Sequence, residues 1–319
     1  MPTRLSARAS RLHPTRHLFY AFLIGAVLTS IGFLLAWLDR DETTRSPNRV
    51  TLLVAGSETL RPLMSSCAEA FVSRQRKVEV IVRGGGSATG IAALLAGQID
   101  VALSSRELTD AEIQHARSIG FQLKVKPIAR EAIAIIAHRD VTLDQLQVDQ
   151  LAALLDGSVA NWSVLGVPGE PVTIVGRSAG SGTASVIEER VLKGRRLAPS
   201  ARLLDTHEGV IETVAATPGA LGYADARMAQ ANPTGLRIIA LSIESAVAAS
   251  LPELDAIAAG RYPLARKLFV ISSASPAPAL DSFLTYCNGD AAESLIEAAG
   301  FIPVGSVLIG QASDTAALQ

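Results

Sequence analysis

VEVIVRGGGSATGIAALL, residues 78–95, changes character twice along its length. Val78–Val82 is rich in β-branched residues and reads as a strand. Gly84-Gly85-Gly86-Ser87 reads as a turn, and the apolar stretch to Leu95 reads as a helix. The same order stands on either side. Before it, Val50–Val54 is a β-type run, followed by Gly-Ser-Glu-Thr-Leu-Arg-Pro and a helix-like stretch through Phe71. After it, Val101–Leu103 leads to Ser104-Ser105-Arg106, and Thr109 and Glu112 then stand at capping-box spacing. Three strand–turn–helix units in succession predict a parallel α/β sheet with right-handed crossovers.

Further along, Ile128–Ala137 is a long β-rich run with no Gly-rich turn after it. The strand Val172–Val175 is followed by Gly176-Arg177-Ser178-Ala179-Gly180-Ser181-Gly182-Thr183 and a helix through Leu192. A second long β-type run, Leu264–Ser272, precedes a helical C-terminus around Leu280–Ala299. At 319 residues, 49% hydrophobic and 18% charged, the chain suits two globular domains. Its 29 basic and 30 acidic residues leave a formal charge of −1, so no basic excess points to nucleic acid. Any bound anion must be held by local donors.

The first residues differ from the rest. Arg4, Arg8, Arg11 and Arg16 precede the unbroken apolar run Leu18–Leu38. As a helix that run spans roughly 31 Å at ~1.5 Å per residue, matching a hydrocarbon core of ~30 Å. Tyr20 and Trp37 lie near its ends, and Asp39, Arg40, Asp41 and Glu42 follow it. The expected division is a cytoplasmic basic arm (1–17), a transmembrane anchor or uncleaved signal (18–38) and a linker (39–49), with the remainder outside the cytoplasm. A cleaved signal peptide is the alternative, although no small-x-small site follows the run. Cys67 and Cys287 are compatible with a disulfide or with two buried thiols. Without clustered histidines they form no zinc site, and no cofactor is expected.

Four turns place Gly, Ser, Thr or Arg at the carboxyl end of an expected strand: Gly56–Thr59, Gly84–Thr89, Ser104–Arg106 and Arg177–Thr183. The first N–H groups of a helix lack internal partners and carry partial positive charge. Such turns bind anions, and ligands of open α/β sheets lie beyond the carboxyl ends of strands. Each turn taken alone fits simple N-capping equally well. Arg177 suits a bidentate contact to an oxyanion, or else a solvated surface position. Gly176-x-Ser178-x-Gly180 matches a nucleophile elbow, but His207, just after Asp205, is the sole histidine beyond it. His115, His138 and His207 read as structural or surface residues, Trp162 as loop packing and Asp100 as closing a turn. No Walker Gly-Lys-Ser/Thr occurs, and Thr89 stands where a dinucleotide fingerprint needs its third glycine.

The segments GSETLRPL (56–63), GGGSATGI (84–91), DVALSSRELT (100–109), NWS (161–163), VGRSAGSGT (175–183) and PGALGYAD (218–225) occur in an order that resembles the phosphate-binding proteins of ABC phosphate importers. The resemblance covers roughly Val50 to Ser272, and Arg-x-x-Gly-Ser-Gly-Thr is its most specific part. It implies a two-lobed, Venus-flytrap α/β fold in which Ile128–Ala137 and Leu264–Ser272 cross between lobes. Residues 50–129 with 268–319 would form lobe I, and 130–267 lobe II. By position, the resemblance implies phosphate ligands at Ser57, Thr59 and Leu60, at Ser87 and Ser105, and at Arg177, Ser181, Gly182 and Thr183. Gly182 would contribute a backbone N–H.

One departure stands out. Well-known members carry an Asp where this chain has Ser105, and that carboxylate accepts the proton of hydrogen phosphate and repels sulfate. Other relatives carry Ser-Ser-Arg here, and Glu58 is an alternative acceptor. The implied function is that of a non-enzymatic, monomeric receptor, attached to the membrane by its N-terminal helix, that hands phosphate to the membrane subunits of an ABC importer. The alternative is a membrane-anchored sensor or scaffold that binds phosphate or another tetrahedral oxyanion without transport.

Overall fold

The computed structural model describes residues 49–168 and 171–304. The basic arm, the expected span 18–38 and the linker through residue 48 lie outside the described residues. Among the described residues no helix is long and apolar enough to cross a membrane.

The first half follows the strand–turn–helix reading. Strand β1 (Val50–Gly56) leads to helix α1 (Arg61–Arg74), β2 (Val78–Gly85) to α2 (Ser87–Leu95), and β3 (Val101–Ser104) to α3 (Asp110–Ser118). Pro62 lies in the first turn of α1, where its missing N–H costs nothing. The capping box of α3 forms as expected: Glu112 N–H donates to Thr109 Oγ1 at 3.2 Å, and Thr109 N–H donates to the Glu112 carboxylate at 2.8 Å. The Asp100 carboxylate ties the residues before β3 to β1, accepting from Leu53 N–H at 2.7 Å, rather than closing a local turn.

The long strand β4 (Leu123–His138) then leaves this half. The second half contains β5 (Gln145–Gln147), α4 (Val148–Leu155), β6 (Thr173–Arg177), α5 (Gly182–Ile187), β7 (Arg202–Leu204), α6 (His207–Ala216), β8 (Ala220–Asp225), α7 (Ala226–Ala231), β9 (Leu236–Ser242) and α8 (Leu254–Ala258). Strand β10 (Ala265–Ser273) returns, followed by α9 (Pro278–Tyr286), α10 (Asp290–Ala298) and β11 (Ile302–Pro303). Two expected helices differ in detail. The helix after Thr183 widens into a π turn over Glu188–Leu192 and stops at Lys193, which takes the left-handed conformation. The C-terminal stretch is two helices, because the chain turns at Cys287–Gly289.

The described strands run in the order β2-β1-β3-β10-β4-β8-β6-β7, with β9 and β11 also paired to β4 and β5 paired to β9. Strand β1 is parallel to β2 and β3, and β6 is parallel to β7 and β8. The two long strands, β4 and β10, are antiparallel and join the halves.

Two large apolar cores flank this join. Leu52, Val54, Leu63, Phe71, Leu103, Leu268 and Phe283 belong to one; Ile133, Ile135, Leu151, Trp162, Val175, Tyr223 and Leu264 belong to the other. Strand β4 gives Ile128 and Ala129 to the first core and Ala132 onward to the second. The molecule is therefore two-lobed, and each crossing strand changes core at charged residues: Arg130 and Glu131 on β4, Arg266 and Lys267 on β10. Trp162 packs its loop, donating from Nε1 to Gly219 O at 2.9 Å. Cys67 and Cys287 are free, buried thiols.

Candidate functional site

Parallel strands end on the same side, so the turns after β1, β2 and β3 share one rim of the first lobe. The turn after β6 faces them from the second lobe. The closest approach is backbone to backbone: Ala88 N–H donates to Gly180 O at 3.1 Å. Gly86, at φ +92°, makes room for this contact, since a Cβ there would lie 2.6 Å from Gly180 O. Gly182 is equally confined. A Cβ on it would lie 2.3 Å from Ser87 Oγ and 2.5 Å from Ser105 Oγ. Those two serines are tied together, with Ser105 N–H donating to Ser87 Oγ at 3.0 Å.

A second group lies beside the first. The Arg266 Nη2 group donates to Thr59 Oγ1 of the first lobe at 3.3 Å and to Thr183 Oγ1 of the second at 3.1 Å. Its Nε donates to Glu131 Oε1 at 2.5 Å, and both side chains of this pair are 1% exposed. His207 is buried and its Nδ1 accepts from Asp225 N–H at 3.1 Å. The ring proton of the neutral imidazole is therefore on Nε2, which donates to Thr59 Oγ1 at 3.0 Å. Burial, followed by the charges of Arg177, Arg266 and Arg227, holds the His207 pKa well below its ordinary value. With both its lone pairs engaged, Thr59 keeps its hydroxyl proton for a further acceptor.

Arg177 ends β6 and is 3% exposed. Its Nε donates to Leu204 O at 3.2 Å and its Nη2 to Asp205 O at 2.5 Å, while its own N–H donates to Tyr223 Oη at 3.2 Å. No carboxylate lies within ion-pair distance of it among the described residues. Burial lowers its pKa; Glu58 opposes that shift and Arg266 adds to it. Arg177 Nη1, Arg266 Nη1 and Ser57 Oγ are buried and lack hydrogen-bond partners among the described residues. Such groups are rare in native proteins because each costs about 1–3 kcal/mol. Glu131 Oε2 is buried and unpartnered among the described residues as well, and the two cationic nitrogens suit an anionic acceptor.

The remaining expected residues divide by backbone and side chain. Ser181 caps α5, its Oγ accepting from Ala184 N–H at 3.4 Å, and so retains a hydroxyl proton. The Leu60 side chain belongs to the first core, so only its main chain can serve the site. Glu58 accepts from Arg61 Nε at 2.9 Å on one carboxylate oxygen and from Gly85 N–H at 2.8 Å on the other. Arg106 turns away to Glu112, at 2.7 Å. Arg177 engages backbone carbonyls with its Nε and Nη2, which leaves Nη1 for a bidentate contact only in part. The nucleophile-elbow match at Ser178 has no base, because both ring nitrogens of His207 are engaged elsewhere.

Arg266 and Glu131 were not singled out by sequence reasoning, and His207 was read only as structural or surface. A signal existed: each long β run carries two adjacent charges, Arg130-Glu131 and Arg266-Lys267, inside otherwise apolar sequence.

Residues 41–290 match the PBP superfamily domain family. Among curated proteins, the chain is 27% identical over 255 residues to the phosphate-binding protein PstS of Bacillus subtilis, covering 80% of this chain and 81% of that one. It is 26% identical over 266 residues to the phosphate-binding protein PstS of Pseudomonas aeruginosa, covering 78% and 81%. Among solved structures it resembles an ABC-type phosphate transport receptor from Vibrio cholerae, with a TM-score of 0.66 at 24% identity over 79% of this chain and 99% of that one.

Two predictions follow from this geometry. Gly182→Ala places a methyl against Ser87 and Ser105, and overpacking of this kind costs about 1–3 kcal/mol. Because both neighbours belong to the opposite lobe, the variant should fold normally but hold its lobes apart. Small-angle scattering should then give a larger radius of gyration than wild type; superimposable curves would contradict the assignment. The second concerns pH. Burial, reinforced by Asp225 and opposed by Arg266, pushes Glu131 up to about 7 from 4.5. The folded state thus holds a proton that the unfolded chain releases, so this contribution is full below 4.5 and is lost as pH rises to about 7. His207 acts oppositely: its contribution is present above 6.5 and is lost as pH falls. Glu131→Gln removes the first effect and leaves the second. Its melting temperature, relative to wild type, should climb more steeply between about pH 5 and pH 7; parallel profiles would refute this.

Proposed function

We propose that this chain, which belongs to the PBP superfamily, is an extracytoplasmic solute-binding protein that captures phosphate between its two lobes and delivers it to an ABC importer. One observation carries the reading. Ser87 and Ser105 of one lobe lie against Gly182 of the other, Arg266 links Thr59 to Thr183 across the lobes, and Arg177 Nη1 and Arg266 Nη1 are buried without partners among the described residues; Ser57, Arg177 and Ser181 complete the proposed set. The Bacillus and Pseudomonas relatives, both named phosphate-binding proteins, support the same ligand.

A tetrahedral oxyanion presents acceptors in every direction, and the site offers hydroxyl and guanidinium donors from both sides. Contacts to both lobes exist only when the lobes are together, so binding favours closure by its differential affinity. The residues perform no covalent chemistry in this role, because the neutral His207 is held as a donor to Thr59. A monomer suffices for such a mechanism. The lobe division at 50–129 with 268–319 and at 130–267 is part of the proposal. It is supported by the change of core along β4 and β10, although Ile302 packs with the second core. Attachment through residues 18–38 completes the proposal and rests on the basic arm and apolar run.

Selectivity should differ from that of members with a carboxylate at the Ser105 position. Here the opposing groups are serine hydroxyls, which can donate to sulfate as readily as they accept from hydrogen phosphate. Glu58 has already taken one hydrogen bond on each carboxylate oxygen, from Arg61 and from Gly85.

The test is a thermal-shift panel on the full chain with phosphate, arsenate, sulfate and molybdate, since a ligand of the folded state raises the melting temperature by mass action. Phosphate and arsenate should both stabilise, and sulfate should displace phosphate measurably at millimolar concentration. Indifference to every anion would refute the proposal. Arg177→Ala should weaken phosphate binding by roughly tenfold or more in calorimetry, since a charge-assisted contact contributes ~1.5–3 kcal/mol. Unchanged affinity would remove Arg177 from the site. Deletion of the gene should lower phosphate uptake; intact uptake with an altered regulatory response would favour the sensing alternative instead.

A further inference from the structure

We propose that Arg266, on the returning hinge strand, is a second guanidinium ligand of the bound oxyanion and the residue through which anion charge is coupled to lobe closure; this rests on the proposed binding function.

Arg266 stands opposite Glu131 across the antiparallel join of β10 and β4. A purely structural pair in that position would close the guanidinium fork onto both carboxylate oxygens. The observed pair does not. Only Nε contacts Glu131, through Oε1, and Glu131 Oε2 is buried without a partner among the described residues. The Nη2 group is instead turned to Thr59 and Thr183, one hydroxyl from each lobe. Two hydrogens on one nitrogen thus span the interface between lobes. Both hydroxyls accept from Arg266 and so have their own protons to give, and Nη1 remains as an uncommitted cationic donor.

The charge balance agrees. Arg227 is paired with Asp225 at 2.6 Å and Arg266 with Glu131 at 2.5 Å, whereas Arg177 has backbone carbonyls alone. Arg266 also borders a cavity of about 370 Å³ shared with Arg106, Arg130, Arg190 and Lys267, against Glu107 and Glu189. From neither side is the positive charge fully offset. An oxyanion touching Arg177 Nη1 and Arg266 Nη1 together would offset it. With Arg266 reaching Thr59 and Thr183 only when both lobes are in place, the same anion that draws the guanidinium forward holds the lobes together.

The experiment is phosphate calorimetry, with scattering with and without phosphate, on wild type, Arg266→Lys and the double variant Glu131→Leu/Arg266→Met. Replacing a buried ion pair by apolar residues of similar size commonly preserves folding, so the double variant separates ligand from scaffold. It should melt near wild type, bind phosphate about tenfold to a hundredfold more weakly, and show no phosphate-induced decrease in radius of gyration. Arg266→Lys keeps the charge but cannot span two threonines and an anion, and should fall between; it decides the matter if the double variant does not fold. Wild-type affinity and closure in a folded double variant, or in Arg266→Lys where that variant alone folds, would overturn the inference while leaving the binding function intact. Absence of phosphate, arsenate, sulfate and molybdate binding in wild type would overturn both.

Discussion

A guanidinium cannot be taken out of water without a counter-charge except at a cost of several kcal/mol. Arg177 is in that situation: it is 3% exposed and is held by the carbonyls of Leu204 and Asp205 rather than by a carboxylate. Those carbonyls orient it but do not neutralise it. The surroundings follow from this. His207 nearby stays neutral, Tyr223 accepts from the arginine's backbone, and the neighbouring cations Arg227 and Arg266 each have a carboxylate of their own. Among the described residues Arg177 alone of these cations has no carboxylate partner, which leaves an attractive field for an anion.

The field is useful only if the anion can be surrounded, and that depends on how closely the lobes meet. Glycines at 86 and 182 bring backbone and hydroxyls of opposite lobes into direct contact. The two crossing strands allow this while keeping the cores apart, because their core-forming residues are separated by charged ones. Arg130, Glu131, Arg266 and Lys267 occupy the point where both strands pass from one core to the other. Two of these four then face the site. The seam that separates the lobes is thus also a source of its polar lining.

Much of the first lobe could be read directly from residue order. Strand β2, the turn at Gly84–Ser87 and helix α2 follow from local preferences: β-branched residues on a pleat, glycine at positive φ, apolar residues at helical spacing. The Thr109–Glu112 capping box formed as expected for the same reason, since both partners lie within one turn. The Arg177–Thr183 loop was legible because strand, glycine and cap residues are contiguous. Short elements of the second lobe, such as β7 and β9, carry weaker periodic signals and were not foreseen.

What the sequence by itself determined is the set of donors at the ends of strands and the alternation that makes those strands. Only the tertiary structure decided which distant residues they meet. The Arg266–Glu131 pair joins positions 135 residues apart, and it exists because of the register between β4 and β10. A shift of one residue would turn both side chains to the other face. The proton position on His207 depends on Asp225 N–H, and the role of Leu60 depends on a core that claims its side chain. Local preferences act over a few residues, whereas charge balance and register are properties of the assembled interior, where burial makes every unpaired group costly.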